Sequence, residues 1–131
     1  MQYMMLIYLN ENEGPTEEQR TKCYEESAAF GGKLQAEGKY ILAAPLHPTS
    51  TATSVRAVEG RRVVHDGPFA ETREQLGGFF LVEAANLDEA IEIAKGIPAG
   101  QWGTVEIRPV MQVSGLPASG PLDLAASRSS H

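Results

Sequence analysis

The sequence predicts an α+β fold in which two helices cover one face of an antiparallel sheet and a β-hairpin is added. Three observations carry this. Short apolar runs of strand length are interleaved with two segments of helical periodicity. Each helical segment opens on a capping-box pattern, Thr16 with Gln19 and Asn86 with Glu89. The resulting order, β-α-β-β-β-α-β, holds two βαβ-type halves around a central antiparallel connection.

Taken in order, "YMMLIYL" (Tyr3–Leu9) is a continuous apolar run closed by "NENEGP", the pattern of a buried central strand. The first helix starts at Thr16, with Glu17 and Glu18 in the first turn where the helix dipole favours acids. Cys23, Ser27, Phe30 and Leu34 form one narrow apolar face, and Gly38 is a natural C′ residue. Gly31-Gly32 inside the helix costs about 1 kcal/mol each relative to Ala, and so marks a kink or a close approach by another backbone. "YILAA" (Tyr40–Ala44) is the second strand, stopped by Pro45, and "PLHPTSTAT" is a loop. Ser54–Val58 and Arg61–His65 alternate around Glu59-Gly60 and form a hairpin. Gly78–Ala84 is the next strand. The second helix begins at Asn86, has an apolar face of Leu87, Ala90, Ile91 and Ala94, and ends at Gly96 and Pro98. In the last strand, Thr104–Val110, Val105 and Ile107 point inward while Glu106 and Arg108 point outward.

These elements make a ferredoxin-like α/β sandwich with an extra hairpin strand. Phe79 and Leu81 alternate with Phe80 and Val82, so both faces of their strand are apolar and one set of helices cannot cover both. A second copy of the chain can, which predicts a homodimer with sheets packed face to face or as a composite barrel. The expected domain spans residues 1–113. Residues 114–131, rich in Ser, Gly, Pro and Ala without periodicity, are expected to form a flexible tail.

Bulk properties exclude several function classes. A chain of 131 residues is long enough for one core without disulfide or metal. The net charge of -6 argues against nucleic acid as a partner. The single cysteine, Cys23, forbids an internal disulfide and reads as inert helix core. The apolar N-terminal run is far short of the roughly 20 residues of a membrane span and lacks a basic leader. A cytoplasmic protein without membrane contact is expected. No His-x-x-x-His, His-Glu-x-x-His or Cys-pair spacing appears, so neither metal nor cofactor is expected. The Gly-Gly pairs at Gly31 and Gly77 are not phosphate loops, since no strand–loop–helix with Lys-Ser/Thr surrounds them.

The chemistry-bearing stretch is "VVHDGPFAETREQLGGFFLVEA", Val63 to Ala84. Asp66 has two readings. It is a general base or substrate anchor, or it closes an Asx-turn on backbone N–H groups two residues on. Gly67-Pro68 set the chain direction, and Phe69 is expected to pack back into the core or a cleft wall. His47, held between prolines in "PLHPTS", is either a base near Asp66 or a solvent-exposed loop histidine. His65 adjoins Asp66, but successive strand residues point to opposite faces. Glu71 could complete a two-carboxylate site with Asp66, or with Arg73 belong to a solvated loop. Arg56 could hold an anion in a bidentate contact or stand at the surface. Phe69 and Phe79 would shape an apolar wall.

"DGPFAETREQLGGFFLVEAANLDEAIEIAKGIP", preceded by "ATSVRAVEGRRVVHDGPF" and followed by "GTVEIRPV", resembles the YCII-related family in its DGPF-type branch, over Met1 to about Val113. The resemblance implies the ferredoxin-like fold, a dimer of the α/β-barrel type, and a cleft between helices and sheet near the Asp-Gly-Pro-Phe turn. Some relatives are small-molecule enzymes with a His–Asp pair, including a dehydrochlorinase acting on a chlorinated aromatic diol. Asp66 matches the family aspartate, but the first helix here carries no histidine. Two functions stand side by side. One is a cofactor-free lyase or hydrolase acting on a small polar or aromatic molecule, with Asp66 and His47 as its acid–base groups. The other is a non-catalytic regulatory or interaction module, associated with an extracytoplasmic-function sigma factor. A purely architectural role for the turn is a third.

Overall fold

The computed structural model describes residues 1–117. Of the expected tail, residues 118–131 lie outside the described residues. The elements are β1 (Gln2–Leu9), α1 (Glu17–Ala36), β2 (Tyr40–Pro45), β3 (Thr53–Val58), β4 (Arg61–Asp66), β5 (Gln75–Glu83), α2 (Leu87–Gly96) and β6 (Gly103–Pro109). Two 3-10 turns, Thr49–Thr51 and Pro98–Trp102, interrupt the connections.

The four-stranded sheet has the order β2-β5-β1-β6, antiparallel throughout. With the hairpin set aside, this is the ferredoxin-like arrangement, and β1 is central as its apolar run predicts. β3 and β4 pair only with each other, in a separate two-stranded sheet. Their turn has φ of 49° at Glu59 and 80° at Gly60, the left-handed geometry of a two-residue hairpin loop.

The caps form as the sequence implies. The Thr16 hydroxyl accepts from Gln19 N–H at 3.1 Å, and the Gln19 side chain accepts from Thr16 N–H at 2.8 Å. At the far end of α1, Gly38 takes φ 74° while Gly38 N–H reaches Gln35 O and Lys39 N–H reaches Leu34 O, a complete Schellman motif. The box at α2 is shifted. Asn86 Oδ1 accepts from Glu89 N–H at 2.9 Å, but the Glu89 carboxylate reaches Ala85 N–H at 3.3 Å instead of the cap residue.

One sheet face is buried. Tyr3, Met5 and Ile7 of β1 and Phe80 and Val82 of β5 lie beneath Leu34 of α1 and Ala90, Ile93 and Ile97 of the α2 region. Phe30 meets Phe80 edge-on, with ring centroids 5.8 Å apart at 74°. A Cβ on Gly96 would come within 2.8 Å of the Phe30 ring, so this helix end makes room for it. The apolar face of α2 differs from the expected one. Ala90 and Ile93 are buried while Leu87 is 53% exposed, because α2 is rotated so that its 90–93–97 row meets the sheet. The opposite sheet face, with Met4, Leu6, Phe79 and Leu81, is only half-buried.

Candidate functional site

A cleft of about 970 Å³ opens between α1 and the β2–β5–β1 part of the sheet. Its origin is a shortage of side-chain volume on both walls. α1 presents Arg20, Tyr24, Ser27, Ala28, Gly31 and Gln35, one helical row that is mostly small in the middle. The sheet presents Ile7, Leu9, Ala43, Gly78 and Phe80. A Cβ on Gly31 would sit 3.3 Å from the Tyr40 ring, and one on Gly78 3.0 Å from the Ala44 carbonyl oxygen. The Gly77-Gly78 pair also carries a β-bulge: Ile7 faces Gly78 and Tyr8 faces Leu76, leaving Gly77 as the extra residue.

The rim is tied together by polar contacts. The Glu11 carboxylate accepts from Thr49 N–H at 2.9 Å and from the Thr49 hydroxyl, pinning the loop that carries Leu46, His47 and Pro48. Glu11 N–H donates to Gln75 Oε1 at 2.9 Å. Asn10 Oδ1 accepts from Asn12 and Glu13 N–H, an Asx-type turn that shapes the same corner. Trp102 and Ala99 also line the hollow. The whole is a mostly apolar hollow with a few convergent polar groups, the composition of a small-molecule site.

Cys23 also lines this cleft but is only 4% exposed. Burial pushes its thiol up, and the Glu26 charge adds to this against an opposing contact with Ser27, at 3.9 Å. A thiol held protonated is not an activated nucleophile. A second hollow, of about 160 Å³, lies between α1 and α2 and is bordered by part-exposed ion pairs of Lys39 with Glu37 and Glu89. Among the described residues no three His, Cys, Asp or Glu side chains gather as a metal-ligand cluster.

Of the residues singled out by sequence, His47 and Phe79 line the cleft. Asp66, Gly67, Pro68, Phe69, Arg56 and Glu71 do not line this cleft. Asp66 ends β4 opposite Thr53, exposed, and its carboxylate makes no hydrogen bond among the described residues. The Asx-turn bond is therefore not formed. The corner is made by backbone and Ser54: Gly67 N–H donates to Ala52 O at 2.7 Å, and Ser54 Oγ donates to Gly67 O at 2.8 Å. Gly67 adopts φ 113°, which L side chains rarely take. Phe69 does not pack back into the core; it is 77% exposed, in the loop that follows the exposed strand β4. His65 pairs with Ser54 and Asp66 with Thr53, on opposite hairpin faces as alternation requires. No hydrogen bond joins His47 and Asp66. The sequence reading missed Arg20, Tyr24, Trp102 and Glu11. The 20–24–27–31 spacing on α1 was the available signal for the first two.

No described helix is long and apolar enough to cross a membrane. Comparison with known proteins gives a consistent family. The model of the YCII-related domain matches residues 1–114. An uncharacterised protein of Rhizobium meliloti (strain 1021) is 36% identical over 114 residues, covering 84% of this chain and 92% of that protein. Among solved structures, the 5-chloro-2-hydroxyhydroquinone dehydrochlorinase of Burkholderia phenoliruptrix AC1100, in complex with 2,5-dihydroxybenzoquinone, aligns with a TM-score of 0.48 at 16% identity. That alignment covers 86% of this chain and 96% of the other. From the domain match over 1–114 and the Rhizobium relative, the chain belongs to the YCII-related family.

Proposed function

We propose that the protein binds a small polar or aromatic molecule in the cleft between α1 and the sheet, as a homodimer, and performs cofactor-free acid–base chemistry of lyase or hydrolase type there. The observation that carries this is the cleft itself: its volume, its apolar floor and the few polar groups on its rim. In this reading His47 is the acid–base group, since its imidazole stands on the rim of the hollow, within reach of whatever occupies it. Tyr24 and Trp102 offer aromatic surface, and Arg20 offers a cation. Asp66, Phe69 and Arg56 stand on or beside the hairpin and enter a ligand site only through a second copy.

Trp102 is the only tryptophan of the chain, so its fluorescence reports on the cleft directly. The test is a titration of wild type and His47→Ala with a library of small polar and aromatic compounds. A true ligand changes Trp102 emission and raises apparent stability, by about 2.7 kcal/mol at a hundred times its dissociation constant. Removing the acid–base group lowers turnover by roughly 10²–10⁴-fold while binding persists. If no compound shifts either signal, the reading fails.

A second reading has its own observation. Phe69 and the hairpin valines are exposed, which favours a non-catalytic interaction module, such as one bound to an extracytoplasmic-function sigma factor. Co-purification of such a factor with wild type but not with Phe69→Ser, together with a silent ligand screen, would select it.

A further inference from the structure

Residues 46–52 carry His47 to the rim of the cleft. Hydrogen bonds hold this segment to distant parts of the chain. Leu46 N–H donates to Gly77 O at 2.9 Å, Thr49 N–H to the Glu11 carboxylate at 2.9 Å, and Ala52 O accepts from Gly67 N–H at 2.7 Å. Only His47 and Pro48 stand between the first two ties. Pro48, with φ of -58°, is fixed by its own ring and keeps the residue before it out of the helical region. The backbone of His47 therefore has little freedom left.

The Thr49 tie is a helix cap supplied from elsewhere. Pro48 is the N-cap residue of the 3-10 turn Thr49–Thr51 and has no side-chain oxygen to cap it. Glu11, 38 residues away, supplies both of its oxygens, one to the Thr49 N–H and one to the hydroxyl. Glu11 is aimed in turn. Its N–H donates to Gln75 Oε1 at 2.9 Å, and the Gln75 side-chain nitrogen donates to Thr72 O. Five residues before Thr72 stands Gly67, bonded to Ala52 O, and Ala52 N–H donates to Thr49 O at 3.0 Å. The bonds close a circuit: Thr49, Glu11, Gln75, Thr72, back along the chain to Gly67, then Ala52 and Thr49 again.

We propose that the Asp66-Gly67-Pro68-Phe69 stretch acts on the cleft through this circuit, as a strut that sets where the His47 imidazole stands, with Glu11 and Gln75 as the positioning residues. The role needs none of the motif's side chains in the cleft, which is how the structure places them. Gln75 suits the junction because one planar amide offers both an acceptor, for Glu11 N–H, and a donor, for Thr72 O. The functional reading supplies what His47 does. Where the imidazole stands is measurable without any ligand, so the two fail separately.

A shared network is not by itself coupling, and the experiment measures the coupling. The full chain is treated with diethyl pyrocarbonate, which transfers an ethoxycarbonyl group to a neutral imidazole nitrogen and releases ethanol and carbon dioxide. The rate at His47 is followed by peptide mass, with N-acetylhistidine in the same tube as reference, at a temperature where every variant is folded. The variants are Gln75→Ala, which opens the circuit, and Pro68→Gly, which loosens the strut and removes none of its bonds. Neither changes the charge of the chain. In both, the His47 rate should move severalfold toward that of the reference. For a compound that changes Trp102 emission and is turned over, both should lower kcat and leave KM nearly unchanged. A His47 rate that stays at the wild-type value in both variants, even with a lower melting temperature, overturns the proposal. A rate that moves in Gln75→Ala but not in Pro68→Gly overturns the motif's part in it. Turnover that survives His47→Ala overturns the functional reading alone.

Discussion

At Gly67 and Asp66, adjacent residues of one motif obey different physics. Gly67 is required by its φ of 113° and by two hydrogen bonds that leave no freedom at the corner. Gly67→Ala should therefore cost about 1–3 kcal/mol, read by urea denaturation. The Asp66 carboxylate makes no hydrogen bond among the described residues, so Asp66→Asn should move the stability of the unliganded protein by no more than about 0.5 kcal/mol. A large loss at Asp66 would show that its carboxylate shapes the turn after all. Cys23 gives a third residue-scale expectation. Its thiol pKa is raised in the folded state, chiefly by burial. The stability this brings is complete below the unfolded thiol value and is lost as pH rises through the folded value. A thiol reagent at neutral pH should react slowly with native protein and fast after denaturation. Cys23→Ala should flatten the alkaline fall in stability.

Helix ends and helix faces differ in how far local sequence decides them. The α1 cap was legible in full, because a capping box and a Gly C′ involve residues within a few positions of one another. Thr16→Ala should cost about 1 kcal/mol in a chemical melt. The face of α2 was not legible. Leu87 and Ile91 fit a helical period as well as Ile93 and Ile97 do, and only docking against β1 and β5 chooses between them. Ile93→Ala should cost about 2–5 kcal/mol. Leu87→Ala should cost less than about 0.5 kcal/mol, since the side chain is already half in water. Equal costs at the two positions would contradict the rotation described here.

Over the whole molecule, the decisive feature is a sheet with two apolar faces and helices for only one. Phe79 and Leu81 announced this in the sequence, and the half-buried Met4–Leu6–Phe79–Leu81 face is its consequence. The strands, both helices, the hairpin and its turn were all readable, because each rests on periodicity or on a turn residue. The hairpin's detachment from the main sheet was not, since strand propensity does not say which edge a strand joins. The cleft was legible only as an expectation from resemblance. Its walls come from Tyr24, Gly31, Ala43 and Trp102, which stand far apart in the chain, and from side chains that are small only where two elements face each other. The sequence by itself determined the order of elements, the caps and the glycine corner, because these depend on neighbours along the chain. The tertiary structure alone decided that His47 lines a cleft and Asp66 does not. Their placement depends on where the β2 loop and the hairpin base are tied, by Glu11 to Thr49 and by Ala52 to Gly67, and such ties join segments that no local pattern connects.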